Sequence, residues 1–195
     1  MNIIERVKNI LITPKTEWEV IKAENTNLQV LFVSYVLPLS LLAAAGVFLH
    51  GLIFPGVSGL KFFIVSAIIT FVANAVSFFL SSYIIDALAG SFNSEKAINK
   101  SAQLVAYSST PSYIASLLSF VPGIGTLISI AGMIYGIYLM YLGIGPLKKT
   151  SEEQKVAYMV VAYLVIIAIY FVIAAAIGML LFSLFGVTRA AGFGM

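Results

Sequence analysis

Apolar runs of membrane-spanning length alternate along the chain with short breaks that hold most of its charges. Before the first run, Asn2 to Ile12 places Ile3, Ile4, Val7, Ile10 and Leu11 on one face, with Glu5, Arg6, Lys8 and Asn9 mostly opposite. That pattern predicts a short amphipathic helix. Thr13-Pro14 suits an N-cap followed by proline at the first helical position, so a second short helix is predicted, presenting Trp18 and Ile21. The pair reads either as an interfacial anchor with Trp18 at headgroup depth or as two helices packed over the cytoplasmic mouth of a bundle, and packing is favoured. Five runs follow, each with the ~20 apolar residues that a crossing needs. They cover about Leu28–Phe54, Lys61–Leu88, Ser94–Val121 and Gly125–Gly145, and a last run from a capping box at Ser151–Gln154 to Phe185. The expected fold is all-α, an integral membrane bundle of five transmembrane helices. Residues 1–26 form its cytoplasmic or interfacial amphipathic arm, 27–186 the transmembrane domain and 187–195 a flexible extracytoplasmic tail.

Polar and small residues inside the runs are not scattered. Ser101, Ser108, Ser112 and Ser119 fall on one face of the third run, because steps of seven, four and seven residues return to the same side at ~100° per residue. Gly125, Gly132, Gly136 and Gly143 repeat that spacing on the fourth, with Ser129 in the same stripe, after a tight turn at Pro122–Gly125. Ser66, Thr70, Asn74, Ser77 and Ser81 make a stripe on the second. Lipid offers no hydrophobic gain for pressing helix on helix, so bare faces that let backbones approach mark the contacts. The third and fourth runs are therefore expected to pack as the centre, with the Asn74 stripe turned toward them. Pro38 and Pro111 remove backbone donors to the carbonyls of Ser34 and Tyr107, and Tyr107-Ser108-Ser109-Thr110 supplies hydroxyls beside the second break.

Composition agrees: 61% of the 195 residues are hydrophobic and 10% charged, and mean hydropathy is +1.03. The chain has no cysteine, which excludes disulfides, thiolate catalysis and cysteine metal sites. A net charge of +3 without a basic cluster gives no sign of nucleic-acid binding. The bases choose an orientation. With the N-terminus inside, Arg6, Lys8, Lys15, Lys22, Lys96, Lys100, Lys148, Lys149 and Lys155 lie inside, against Lys61 and Arg189 outside. This positive-inside bias needs an odd number of crossings, with the C-terminus outside. The apolar run also starts too late for a cleaved signal peptide.

Candidate chemistry is sparse. Asp86 is the acid that lies within the second run, near its cytoplasmic end, and is expected to meet Lys96 or Lys100 there. His50 stands near the other end of the bundle, roughly 30 Å away, too far for a dyad or a shared metal. No HExxH, paired aspartates or nucleophile elbow occurs, so no catalytic residue, metal or cofactor is expected. Tyr135, Tyr138 and Tyr141 are expected to fill space opposite the glycines.

Together, the Pro14…Trp18…Ile21 arm, AYSSTP at Ala106–Pro111, the following Pro122 and YGIYLMYLGIGPLKKTSEEQKVAY at Tyr135–Tyr158 resemble the bacterial branch of the Yip family. That family is named for proteins that interact with Ypt/Rab GTPases. The resemblance implies five spans with a cytoplasmic N-terminus and a non-enzymatic role as a membrane partner. It also implies a departure from the eukaryotic branch, whose long N-terminal region and acidic leucine-tyrosine motif are missing here, which argues against small-GTPase binding.

The expected function is therefore that of a bacterial inner-membrane scaffold or a partner- or lipid-binding protein, with the bilayer, a membrane protein or a second copy as partner. The alternative is a small transporter or channel with a polar path between the second and third spans. The residues carrying function or packing are expected to be Asn74, Ser77, Asp86, Tyr107, Ser108, Pro111, Ser112, Gly132 and Gly136.

Overall fold

The computed structural model describes residues 2–54, 59–118, 121 and 123–185, so Ser119, Pro122 and the expected tail at 187–195 lie outside the described residues. Every regular element described is helical. In chain order these are α1 (Ile3–Ile12), α2 (Pro14–Ala23), α3 (Leu28–Leu31), a π-helical segment (Phe32–Val36) and α4 (Leu37–Ile53). They continue with α5 (Gly59–Leu88) and its closing 3₁₀ turn (Ala89–Phe92), α6 (Ile98–Ser108), α7 (Thr110–Leu118), α8 (Gly125–Lys148) and α9 (Glu152–Phe185).

Three helices among the described residues are long and apolar enough to cross a membrane: Leu28–Ile53, Gly59–Phe92 and Gly125–Lys148. The expected third crossing is divided. Ser109 and Pro111 break it into α6 and α7, and α6 is enclosed by protein from Ser101 to Ser108. A helix whose neighbours are other helices is not required to be apolar all round, and Ser101, Gln103 and Ser108 sit in it fully or almost fully buried. The first crossing carries its own irregularity. The N–H of Leu37 donates to the carbonyl of Phe32, which closes the π turn one residue before Pro38 and sets Tyr35 and Val36 inward.

Two glycines of the fourth-run stripe, Gly132 and Gly136, lie against the broken helix, whereas Gly143 lies under Trp18 of the arm. A methyl group added to Gly132 would stand 2.7 Å from the Cβ of Ala115 and 2.9 Å from the carbonyl oxygen of Pro111, and one on Gly136 2.8 Å from that of Ser108. Backbone thus lies against backbone where α8 crosses the broken helix. Gly46 does the same on the other side, where an added methyl would meet the carbonyl oxygen of Ser116 at 2.5 Å. α7 is consequently held between α4 and α8. Ser129 departs from the expected stripe: it is exposed, and its hydroxyl bonds back to the carbonyl of Gly125 at 2.9 Å. Gly123, with φ +81°, makes the turn into α8 in a region that side-chain-bearing residues avoid.

The two short N-terminal helices do more than lie across an end of the bundle. Tyr135 donates a hydrogen bond to the carbonyl of Leu11 at 2.7 Å. Tyr135 is thirteen residues before Lys148, so the elbow between α1 and α2 reaches about 20 Å along α8 at 1.5 Å per residue. Trp18 is 1% exposed, stacked edge-on to Tyr107 with centroids 6.2 Å apart and seated over Gly143, where an added methyl would stand 2.7 Å from its ring. Buried Arg6 pairs with Glu17 and Glu24 and lies 5.3 Å above the Tyr107 ring. Two carboxylates of the arm, one buried and one partly exposed, are thereby matched against one buried guanidinium.

Candidate functional site

The break at Ser109–Pro111 decides where space is left. Before it, α6 packs against α5 and α8; after it, α7 packs against α4 and α8. α5 follows α4 and α6, so a gap opens between α5 and the far side of the break. A cavity of about 220 Å³ fills that gap, lined by Asn74, Ser77, Phe78 and Ser81 of α5 and by Val105, Ser109, Ser112, Tyr113 and Ser116. A second, of about 150 Å³, adjoins it through Ser77, Ser81, Val105, Ser109 and Ser112. It extends to Ser108, Gly136, Met133 and Ile137, and to Tyr163 and Ile166 of α9.

Hydroxyls in a membrane helix ordinarily bond back to the carbonyl one turn earlier. Ser34, Thr70, Ser82 and Ser108 do so, at 2.6–2.8 Å. The side chains of Asn74, Ser77, Ser81, Ser109 and Ser112 make no such bond, nor any other polar contact among the described residues. Ser81 is only 6% exposed and lines both cavities. Among the described residues no carboxylate, lysine, arginine or histidine lines either cavity; Tyr113 and Tyr163 contribute phenols. The chemistry on offer is neutral hydrogen bonding at membrane depth.

Of the expected residues, Asn74, Ser77, Ser108, Ser112 and Gly136 come together here, whereas Gly132 packs and Pro111 is buried at the break. The carbonyl of Tyr107, which Pro111 leaves without its helical donor, is met by the N–H of Ser109 rather than by a hydroxyl. That N–H also turns to the carbonyl of Val105. The hydroxyl of Ser108 bonds back to the carbonyl of Leu104, and that of Thr110 to the carbonyl of Ala106 at 3.5 Å. Tyr107 belongs to the arm's socket, between Trp18 and Tyr35. Tyr35 in turn shares a 2.7 Å hydrogen bond with Thr110, tying the π segment to the break.

Asp86 has a different partner from the one expected. Its Oδ1 lies 3.0 Å from Lys148 Nζ and accepts from Ser101 Oγ at 3.0 Å and from the N–H of Ala97 at 2.8 Å. Lys148 is fully buried and also donates to Ser101 at 2.7 Å. Lys100 instead donates to the carbonyls of Lys22 and Glu24, at 2.7 Å each, so it locks the arm rather than the acid. Beside this cluster Lys149 pairs with Glu95 at 2.7 Å and holds that carboxyl below its usual range. Sequence reasoning missed Lys148, because an end-of-helix lysine reads as a solvated, topology-setting charge. Ser116, one turn after Ser112, was missed as well, and Ser109 was read only as a hydroxyl beside the break. Among the described residues no group of His, Asp or Glu gathers as a metal site.

Long apolar helices beside a partly buried polar cavity mark an integral membrane protein of helical type. The Yip1 domain family matches residues 8–176, most of the chain, and the protein belongs to that family. Comparison with curated proteins and with solved structures gives no match.

Proposed function

We propose that this protein is a non-enzymatic membrane scaffold that binds a lipid or a membrane partner through the cavity between α5 and the α6–α7 break. The observation that carries the reading is a set of five unpartnered neutral polar side chains around that cavity, with no titratable group among them. Ser81 is buried and the other four are partly buried, and a polar group left dry in a membrane interior costs ~1–3 kcal/mol, so a partner with hydrogen-bonding capacity suits the cavity. The reading includes five crossings, with α6–α7 and α9 as the third and fifth, in a bacterial inner membrane with the N-terminus inside. The charge distribution supports that orientation. A second reading, a small transporter, draws on the same cavity volume and on the helix broken beside it.

Cysteine substitution separates these readings, since the chain has no native cysteine. Single cysteines at Asn74, Ser77, Ser108 and Ser112 are reacted in membranes with a permeant and an impermeant maleimide. The scaffold reading expects reaction with the permeant reagent only. Reaction with the impermeant one from either side replaces it with the transport reading. Silence toward both means a closed interior and removes the two together.

A further inference from the structure

Resting on the reading of the cavity as a binding site, we infer that it takes an uncharged, hydroxyl-bearing ligand: a glycerol-like polyol group, supplied by a neutral lipid or by a free solute. Two features of the site lead there. Among the described residues its lining holds no charge that would compensate a phosphate, carboxylate or ammonium, and an unpaired ion at this depth is costly. The free side chains are of one chemistry: Ser77, Ser81, Ser109 and Ser112 each offer a rotatable hydroxyl that both donates and accepts, and Asn74 adds an amide that does both. Neighbouring hydroxyls on a ligand also donate and accept, so they complement a ring of serines better than a carbonyl alone, which only accepts.

Size sets the second limit. At ~30 Å³ per water, about 220 Å³ corresponds to roughly seven waters, space for a three-carbon polyol and part of what is attached to it. The adjoining cavity leads toward an apolar side. Met133 and Ile137 line it and are 56% and 40% exposed, continuing the uncovered apolar face of α8 through Ile130 and Ile134. A neutral glycerolipid can place its hydroxyl and ester region among the serines and its chains along that face. A free polyol would use the hydroxyls alone. Ser81 is the residue that most needs such a ligand, being nearly enclosed and without another partner among the described residues.

The test uses the full chain in detergent micelles and in vesicles. Dioctanoylglycerol is titrated while the melting temperature is followed, with dioctanoyl phosphatidate and octane as charged and purely apolar comparisons. The expected result is a saturable rise with dioctanoylglycerol alone. In the triple variant Ser77→Ala, Ser81→Ala, Ser112→Ala the apparent affinity falls about tenfold or more, as losing two or three hydrogen bonds implies. Ser34→Ala, whose hydroxyl bonds back to the carbonyl of Val30, leaves the titration unchanged and controls for generic effects on folding. Glycerol-driven swelling of vesicles distinguishes the sources: faster swelling that the triple variant abolishes assigns a free polyol, and unchanged swelling with retained lipid binding assigns the lipid. Phosphatidate binding as tightly as dioctanoylglycerol, or no response to either the lipid or glycerol, overturns the inference. If Ser77→Cys still reacts with a permeant maleimide in that case, the cavity reading survives and only the ligand class falls.

Discussion

At the scale of single residues, the Asp86–Lys148 pair is asymmetric, and its asymmetry is testable. Lys148 is wholly enclosed, whereas the Asp86 side chain keeps 22% of its surface exposed. Asp86→Asn strips a buried ammonium of its counter-charge, and such losses cost about 3–5 kcal/mol. Lys148→Met leaves a carboxylate that still accepts from Ser101 and Ala97 and can turn to water, so it should cost distinctly less. The double variant should recover much of what Asp86→Asn loses. Thermal unfolding in detergent ranks the three, and equal costs for the two single changes would mean that Lys148 reaches water after all. The same comparison bears on catalysis, since an acid needed for chemistry would be lost in both Asp86→Asn variants however stable they are. Glycine positions obey a similar local logic. Gly132→Leu or Gly136→Leu drives a side chain into backbone and should cost about 1–3 kcal/mol, while Ser129→Leu, on the exposed face, should be nearly silent. Unchanged melting of the two glycine variants would contradict the close approach of α8 to α6 and α7.

Between elements, the arm is the part whose role shifts most. Its amphipathic pattern marks a helix with one buried face but cannot say what covers that face. The answer is a socket built from α6 and α8: Leu104 and Tyr107 on one side, bare Gly143 on the other, with Trp18 filling it. Trp18→Ala removes the largest fully buried side chain and should cost about 3–5 kcal/mol. It should also quicken trypsin cleavage at Lys15 and Lys22, both of which are exposed. If cleavage keeps its wild-type rate, the Arg6 ion pairs and the Lys100 hydrogen bonds hold the arm without the indole. The break between α6 and α7 is the other element-level device. It takes the chain from packing beside α5 to packing beside α4, and the cavity is the space it leaves.

For the molecule as a whole, the first expectation to check is the odd number of crossings. Reporter domains fused before Met1 and after Met195 should report opposite sides of the membrane, and the same side for both would require an even count. Much of this architecture was legible from one sequence because a bilayer is a severe solvent. It demands long apolar helices, punishes stray charges and sorts bases to one side, so the long apolar helices, the close approach at Gly132 and Gly136 and the family follow from residue order alone. Partner choice did not follow, and for a physical reason. Lys148, Lys96 and Lys100 look alike in sequence, and which of them meets Asp86 depends on where three helix ends arrive in space. Nor does periodicity reveal whether a serine bonds back to its own helix, as Ser108 does, or stands open, as Ser112 does. That difference is set by how far neighbouring helices part, which only tertiary packing decides.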